Sequence, residues 1–105
     1  MTCSSAAQAA GSSAPFGYAP DPSLRSASTA ELQTRIRRAC SSTQARIQNV
    51  AASQVELGCA CYATRVIRSF EQTEIDAYRA TGVFNDAARA KAFAALDACR
   101  LRRPA

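Results

Sequence analysis

The sequence contains no histidine, which removes the commonest metal ligand and general base, and with them His-dependent nucleophilic triads and mixed Cys/His zinc sites. It lacks any run of about 20 apolar residues, so no segment reads as a membrane-spanning helix. Nowhere does it alternate apolar and polar residues as a half-buried strand does, and no fixed-period repeat is present. A C-x-x-C pair at a helix start within an α/β pattern, the usual mark of a thiol oxidoreductase, is missing as well. Lysine occurs once, at Lys91, against 12 arginines. A tyrosine, a carboxylate or Lys91 could still act as a base, but nothing marks one out. Glu71, Glu74 and Asp76 read as charges at the start of a helix. The reading is therefore non-enzymatic, with no catalytic residue and no cofactor.

What is present is five cysteines in 105 residues and an apolar fraction of 48% in which alanine is abundant. Alanine buries little area, so a core drawn from it contributes little hydrophobic stabilisation. A domain of about 80 residues in this position is expected to need staples. Residues 1–27, "MTCSSAAQAAGSSAPFGYAPDPSLRSA", hold three of the four prolines and show no apolar periodicity. They read as a disordered leader ahead of a helical domain over 28–103. "AQAA", Ala7 to Ala10, has the small-residue form of a signal-peptidase site, and "CSS" at Cys3 is like the start of a mature lipoprotein. Two expectations follow: a remnant of an export signal, or a lipid anchor at Cys3.

Helical signals begin at Ser28. "STAE" is a capping box, and it predicts a helix from Thr29. Leu32, Ile36, Ala39, Cys40, Thr43, Ile47, Val50 and Ala51 then recur every three or four residues. Arg35, Arg37, Arg38, Gln44, Arg46 and Gln48 fall mostly elsewhere on the circumference. After a turn near Ala52, "SQVE" at Ser53 predicts a second helix with Val55, Cys59, Tyr62, Val66 and Phe70 on one stripe; alternatively the first helix continues to Leu57 and Gly58 ends it. A third helix fits Glu71 to Thr81, followed by Gly82, with Val83 and Phe84 as a buried connection. Asn85 or Asp86 caps a fourth, running to Arg103 before Pro104. The fold class is thus all-α: a four-helix, disulfide-stapled bundle built on an antiparallel helical hairpin.

Within this frame Cys59 and Cys61 lie about 200° apart on a helix, so their sulfurs face opposite neighbours and cannot share one ion. A turn centred between Val50 and Ala51 places Cys40 level with Cys61. The expected bridges are then Cys40 with Cys61 and Cys59 with Cys99. No metal site is assigned. A thiol-based zinc or copper protein is the alternative, although paired C-x2-4-C knuckles are absent. The arginines supply a third reading, an anion or nucleic-acid binder, with Arg100, Arg102, Arg103, Arg35 and Arg38 as its candidate patch. Against it, the charge of +5 is spread along the chain with acids between, and cations at a helix carboxyl end complement its dipole. Nucleic acid is not the expected partner.

A helix with one cysteine (Cys40), C-x-C in a second helix (Cys59, Cys61), an acidic E-x-x-x-Y helix (Glu74 to Tyr78) and a last cysteine (Cys99) resembles small exported or lipoprotein-like helical proteins of proteobacteria. That resemblance implies an extracytoplasmic helical domain and brings no activity with it. The combined expectation is a secreted or periplasmic interaction module, or a lipoprotein at the cell envelope. Its partner would be another envelope protein, and the chain itself a monomer or homodimer, since the first apolar stripe could equally serve a coiled-coil mate.

Overall fold

A computed structural model describes residues 21–104 of the chain; Cys3 and the "AQAA" segment lie outside the described residues. Asp21 starts the described chain by accepting the backbone N–H of Ser23, which opens a 3-10 turn over Pro22–Ser26. Leu24 and Ala27 from this segment are buried. Both precede the boundary expected at Ser28, so apolar contacts to the core extend into the last residues of the stretch read as a leader. Two apolar side chains separated by a turn give no periodicity to read, yet they are enough to fill a gap under a helix.

Helix α1 spans Thr29–Gln48, and its capping box forms as the sequence predicts. The Ser28 N–H donates to Glu31 Oε1 at 2.7 Å, and the Glu31 N–H donates to Ser28 Oγ at 3.1 Å. The helix runs unbroken through Ser41 to Gln44. Asn49, in the left-handed conformation at φ 57°, ends it, a role that asparagine tolerates better than most non-glycine residues. Three further helices follow: α2 over Glu56–Ser69, α3 over Gln72–Thr81 and α4 over Asp86–Ala98. No strand occurs among the described residues. "SQVE" does not cap α2: Ala52–Gln54 is a 3-10 turn, and Val55 precedes the helix without a side-chain cap. Gly82, at φ 75°, closes α3, and Asn85 Oδ1 caps α4 by accepting the Ala88 N–H at 2.9 Å.

Helix α2 buries the stripe its spacing predicts, Val55, Cys59, Tyr62, Val66 and Phe70, with Ala63 beside it. Helix α1 drifts from its own. Leu32, Ile36 and Cys40 are buried, but the fourth position on that line is Gln44, only 1% exposed, while Ala39, Val50 and Ala51 are exposed and Ile47 half-covered. A strict i, i+4 line rotates steadily round a 3.6-residue helix, so the contact line wanders from any fixed hydrophobic face. Val83 is exposed too, whereas Phe84 packs edge-on against Phe70 with ring centroids 5.1 Å apart.

The bridges are Cys40–Cys59 and Cys61–Cys99, with Cα atoms 5.6 and 5.9 Å apart, and not the expected Cys40–Cys61 and Cys59–Cys99. The error lies in the register of the hairpin. Gln33 donates to Thr64 at 3.2 Å, so opposite residues of α1 and α2 pair around a pivot close to Asn49, before the assumed centre at Val50 and Ala51. The connection does not reverse at once. Its 3-10 turn runs back alongside the end of α1, so α2 enters lower and Cys59 arrives level with Cys40. Facing agrees: Cys59 belongs to the buried stripe, and half-buried Cys61 turns towards α4.

Helix α4 is also shorter than expected. It ends at Ala98, and Arg100 sits in the left-handed region at φ 60°. The Leu101 N–H donates to the Leu96 carbonyl and the Arg100 N–H to that of Asp97, a Schellman arrangement with arginine where glycine is usual. The chain must turn there because Leu101 folds over Gly58: a Cβ added to Gly58 would lie 2.8 Å from Leu101 Cδ2. Gly58 is therefore a point of close approach inside α2 and not a helix end. Arg100→Gly is expected to stabilise the protein by about 1 kcal/mol, read as a raised denaturation midpoint, because the left-handed penalty disappears.

Candidate functional site

Two regions gather chemistry-bearing side chains, and both are set by the cysteines. Cys40–Cys59 ties α1 to α2 inside the core, with Cys59 fully buried. Cys61–Cys99 ties the opposite side of α2 to the end of α4. The C-x-C segment is thus a two-sided staple, as its position on a helix predicts. Among the described residues no group of three or more His, Cys, Asp or Glu side chains could hold a metal ion.

On the α1 side of the hairpin lies a largely apolar cleft of about 430 Å³, walled by Ile36, Cys40, Tyr62, Phe84 and Leu96 with Arg89 also in its lining. Burial pushes the Tyr62 hydroxyl up to about 12, with Tyr78 nearby adding to the shift. Pro104 reaches this cleft because the tail is clasped by Gln44. Gln44 Nε2 donates to the Arg102 carbonyl at 2.6 Å, Gln44 Oε1 accepts the Arg102 N–H at 3.1 Å, and Gln48 Nε2 donates to the same oxygen at 2.7 Å. One buried amide thus matches one backbone unit the way a neighbouring strand would. Nothing in the sequence singles out Gln44 except its place four residues after Cys40 on the buried line.

The candidate arginines have different partners within the fold. Arg35 donates to Asp21 and, at 2.7 Å, to Ser23 Oγ, pinning the first turn to α1. Arg103 pairs with Asp97 at 2.7 Å and lies over the Phe93 ring, 5.1 Å from its centroid. Arg102 contributes its backbone to the Gln44 clasp, nine residues along α1 from Arg35, or about 13 Å of helix. Arg38 lines a second cleft with Ser23, Arg35 and Tyr78, and Arg100 is exposed beyond α4. A fixed ion pair is less available to an anion, so Arg35 and Arg103 read as ties within the fold.

A third cleft opens between α2 and α4, lined by Ala60, Cys61, Thr64, Arg65, Arg68 and Lys91 among others. Lys91, the single lysine, reaches the buried Glu74 at 2.8 Å. Glu74 also accepts the Glu71 N–H at 2.8 Å, so one carboxylate both caps α3 and ties it to α4. Arg65 and Arg68 are exposed and make no ion pair among the described residues.

Three carboxyls are held below their usual range: Asp21 at about 2, by the Ser23 N–H first and Arg35 next; Glu74 by Lys91 and then the Glu71 N–H; and Asp97 by Arg103. A lowered folded-state value contributes stability that is present above the unfolded value and lost as pH falls through the folded one. Tyr62, with its value raised, contributes stability that fades as pH rises from 10 through about 12. Thermal midpoints should therefore be level near neutrality, fall below about pH 4 and fall again above about pH 10. Calorimetry across pH 2 to 12 would check this, and a flat acid limb would mean these contacts are not maintained in solution.

The chain matches no protein-family model, no curated protein and no solved structure.

Proposed function

We propose that this protein is a non-enzymatic, disulfide-stapled helical module of an oxidising compartment, the periplasm, cell envelope or extracellular space, acting by binding another protein there. The observation that carries the reading is that all four cysteines among the described residues are joined in two bridges that lace three helices around an alanine-rich core. Such bridges persist in oxidising compartments and are scarce in reducing ones, and a core of this size gains most from them. Zinc or copper binding requires thiolates, which these cysteines do not offer while bridged. That leaves binding through a fixed surface as the reading favoured by the chemistry.

The test is intact mass in denaturant, on protein recovered from its own cells, before and after reduction with alkylation. The reading expects four thiols masked until reduction and recovery in the exported fraction. Four free thiols, or recovery only from cytosol, would overturn it.

A further inference from the structure

We propose that Cys61–Cys99 is a thiol-exchange site for a small thiol bearing carboxylates, which forms a reversible mixed disulfide on Cys61. The inference deepens the disulfide-stapled reading and rests on it. The two bridges differ in access. Cys40 and Cys59 are 7% and 0% exposed, whereas Cys61 and Cys99 are each half-buried. Cys61 also lines the cleft that contains Arg65, Arg68 and Lys91, and Cys99 does not. Arg65 follows Cys61 by one helical turn, which makes them neighbours on the same face of α2. Lys91 is balanced by Glu74, so the cleft's cations without an ion-pair partner among the described residues are Arg65 and Arg68. A cleft lined with cations raises the local concentration of an anionic nucleophile, and a thiolate is the attacking species in exchange.

The step balances without a further reagent. The incoming thiolate attacks Cys61 Sγ, a new S–S bond forms as the Cys61–Cys99 bond breaks, and the electron pair leaves on Cys99 Sγ, which takes a proton from water. The incoming sulfur is oxidised to the disulfide level and Cys99 is reduced to a thiol. The fold survives the step because other ties remain. Cys40–Cys59 still joins α1 to α2, and the Gln44 clasp and the Leu101–Leu96 bond still hold the tail beside its starting place. Cys99 therefore stays close enough to expel the adduct and reclose the bridge.

The test titrates the oxidised protein with glutathione as the anionic thiol and with 2-mercaptoethanol as a neutral one, following adducts by mass. Rates are taken per thiolate and normalised to the same thiols acting on a small free disulfide. The expected result is a single adduct, located on Cys61 by fragmentation of the 47–65 tryptic peptide, with Cys40–Cys59 intact. Glutathione should be favoured about tenfold at low salt, a preference that collapses near 1 M salt. Arg65→Glu with Arg68→Glu should abolish it, and Arg65→Gln with Arg68→Gln should reduce it; both pairs are exposed, and their thermal midpoints report that the fold is kept. An adduct on Cys99, equal normalised rates for the two thiols, or simultaneous opening of both bridges would overturn the proposal while leaving the disulfide-stapled reading in place. Free thiols before any titration would instead overturn that reading.

Discussion

Replacing Cys40 and Cys59 together by alanine is expected to lower stability by about 4 to 5 kcal/mol, enough to unfold much of the population of a small domain near 37 °C. Loop length alone ranks the bridges the other way. Their separations of 19 and 38 residues correspond to about 3 kcal/mol for Cys40–Cys59 and about 4 kcal/mol for Cys61–Cys99 in the chain-entropy model. Burial reverses the order. The Cys40 and Cys59 sulfurs lie in the core, beside a stripe that includes Val55, Tyr62 and Val66, so their removal adds a cavity of two buried atoms, about 1 to 2 kcal/mol. Cys61→Ala with Cys99→Ala leaves partly exposed positions that water can refill, and no such addition applies. Guanidinium unfolding of both double variants decides the matter. A larger loss from the Cys61–Cys99 pair would show that loop entropy, and not core packing, governs these staples.

Gln44→Ala is expected to cost about 2 kcal/mol and to release the tail from Leu101 onward. Two hydrogen bonds to the Arg102 backbone disappear together, and the Gln48 amide loses its acceptor. Once free, the tail hydrates its own peptide groups, so the cost stays below that of orphaning them in place. Two readouts separate this from simple core damage. The Arg102 amide should exchange with solvent at nearly the unprotected rate, and trypsin should cleave after Arg102 well before the helices open. Gln44→Glu should behave similarly, because a carboxylate can accept the Arg102 N–H but cannot donate to its carbonyl. Unchanged protection at Arg102 would mean that Leu101 over Gly58 holds the tail by itself.

Neither of these two sites is legible in the chain, because both depend on how distant segments meet. Local signals carried through: Ser28 with Glu31 starts α1, Asn85 starts α4, Gly82 closes α3, and the α2 stripe from Val55 to Phe70 is buried. Each depends on bonds or spacings within a few residues. The opposed facing of Cys59 and Cys61 was legible for the same reason, since helical geometry alone sets the angle between adjacent positions. The bridge partners were not. Pairing depends on how far the connection from Asn49 to Val55 runs back along α1, and a shift of two residues there exchanges Cys61 for Cys59 opposite Cys40.

The sequence by itself determined an all-α chain, the positions of most helix starts, the apolar face of α2 and a staple acting from two sides of one helix. Only the tertiary structure decided the hairpin register, the burial of Gln44, the early end of α4 at a left-handed Arg100, and the inclusion of Leu24 and Ala27 in the core. The physical division is one of range. Caps and amphipathic spacing are settled by hydrogen bonds and side-chain directions within one or two turns, whereas register and tail docking are settled by contacts between residues up to 58 positions apart, whose energies appear only when the surfaces meet.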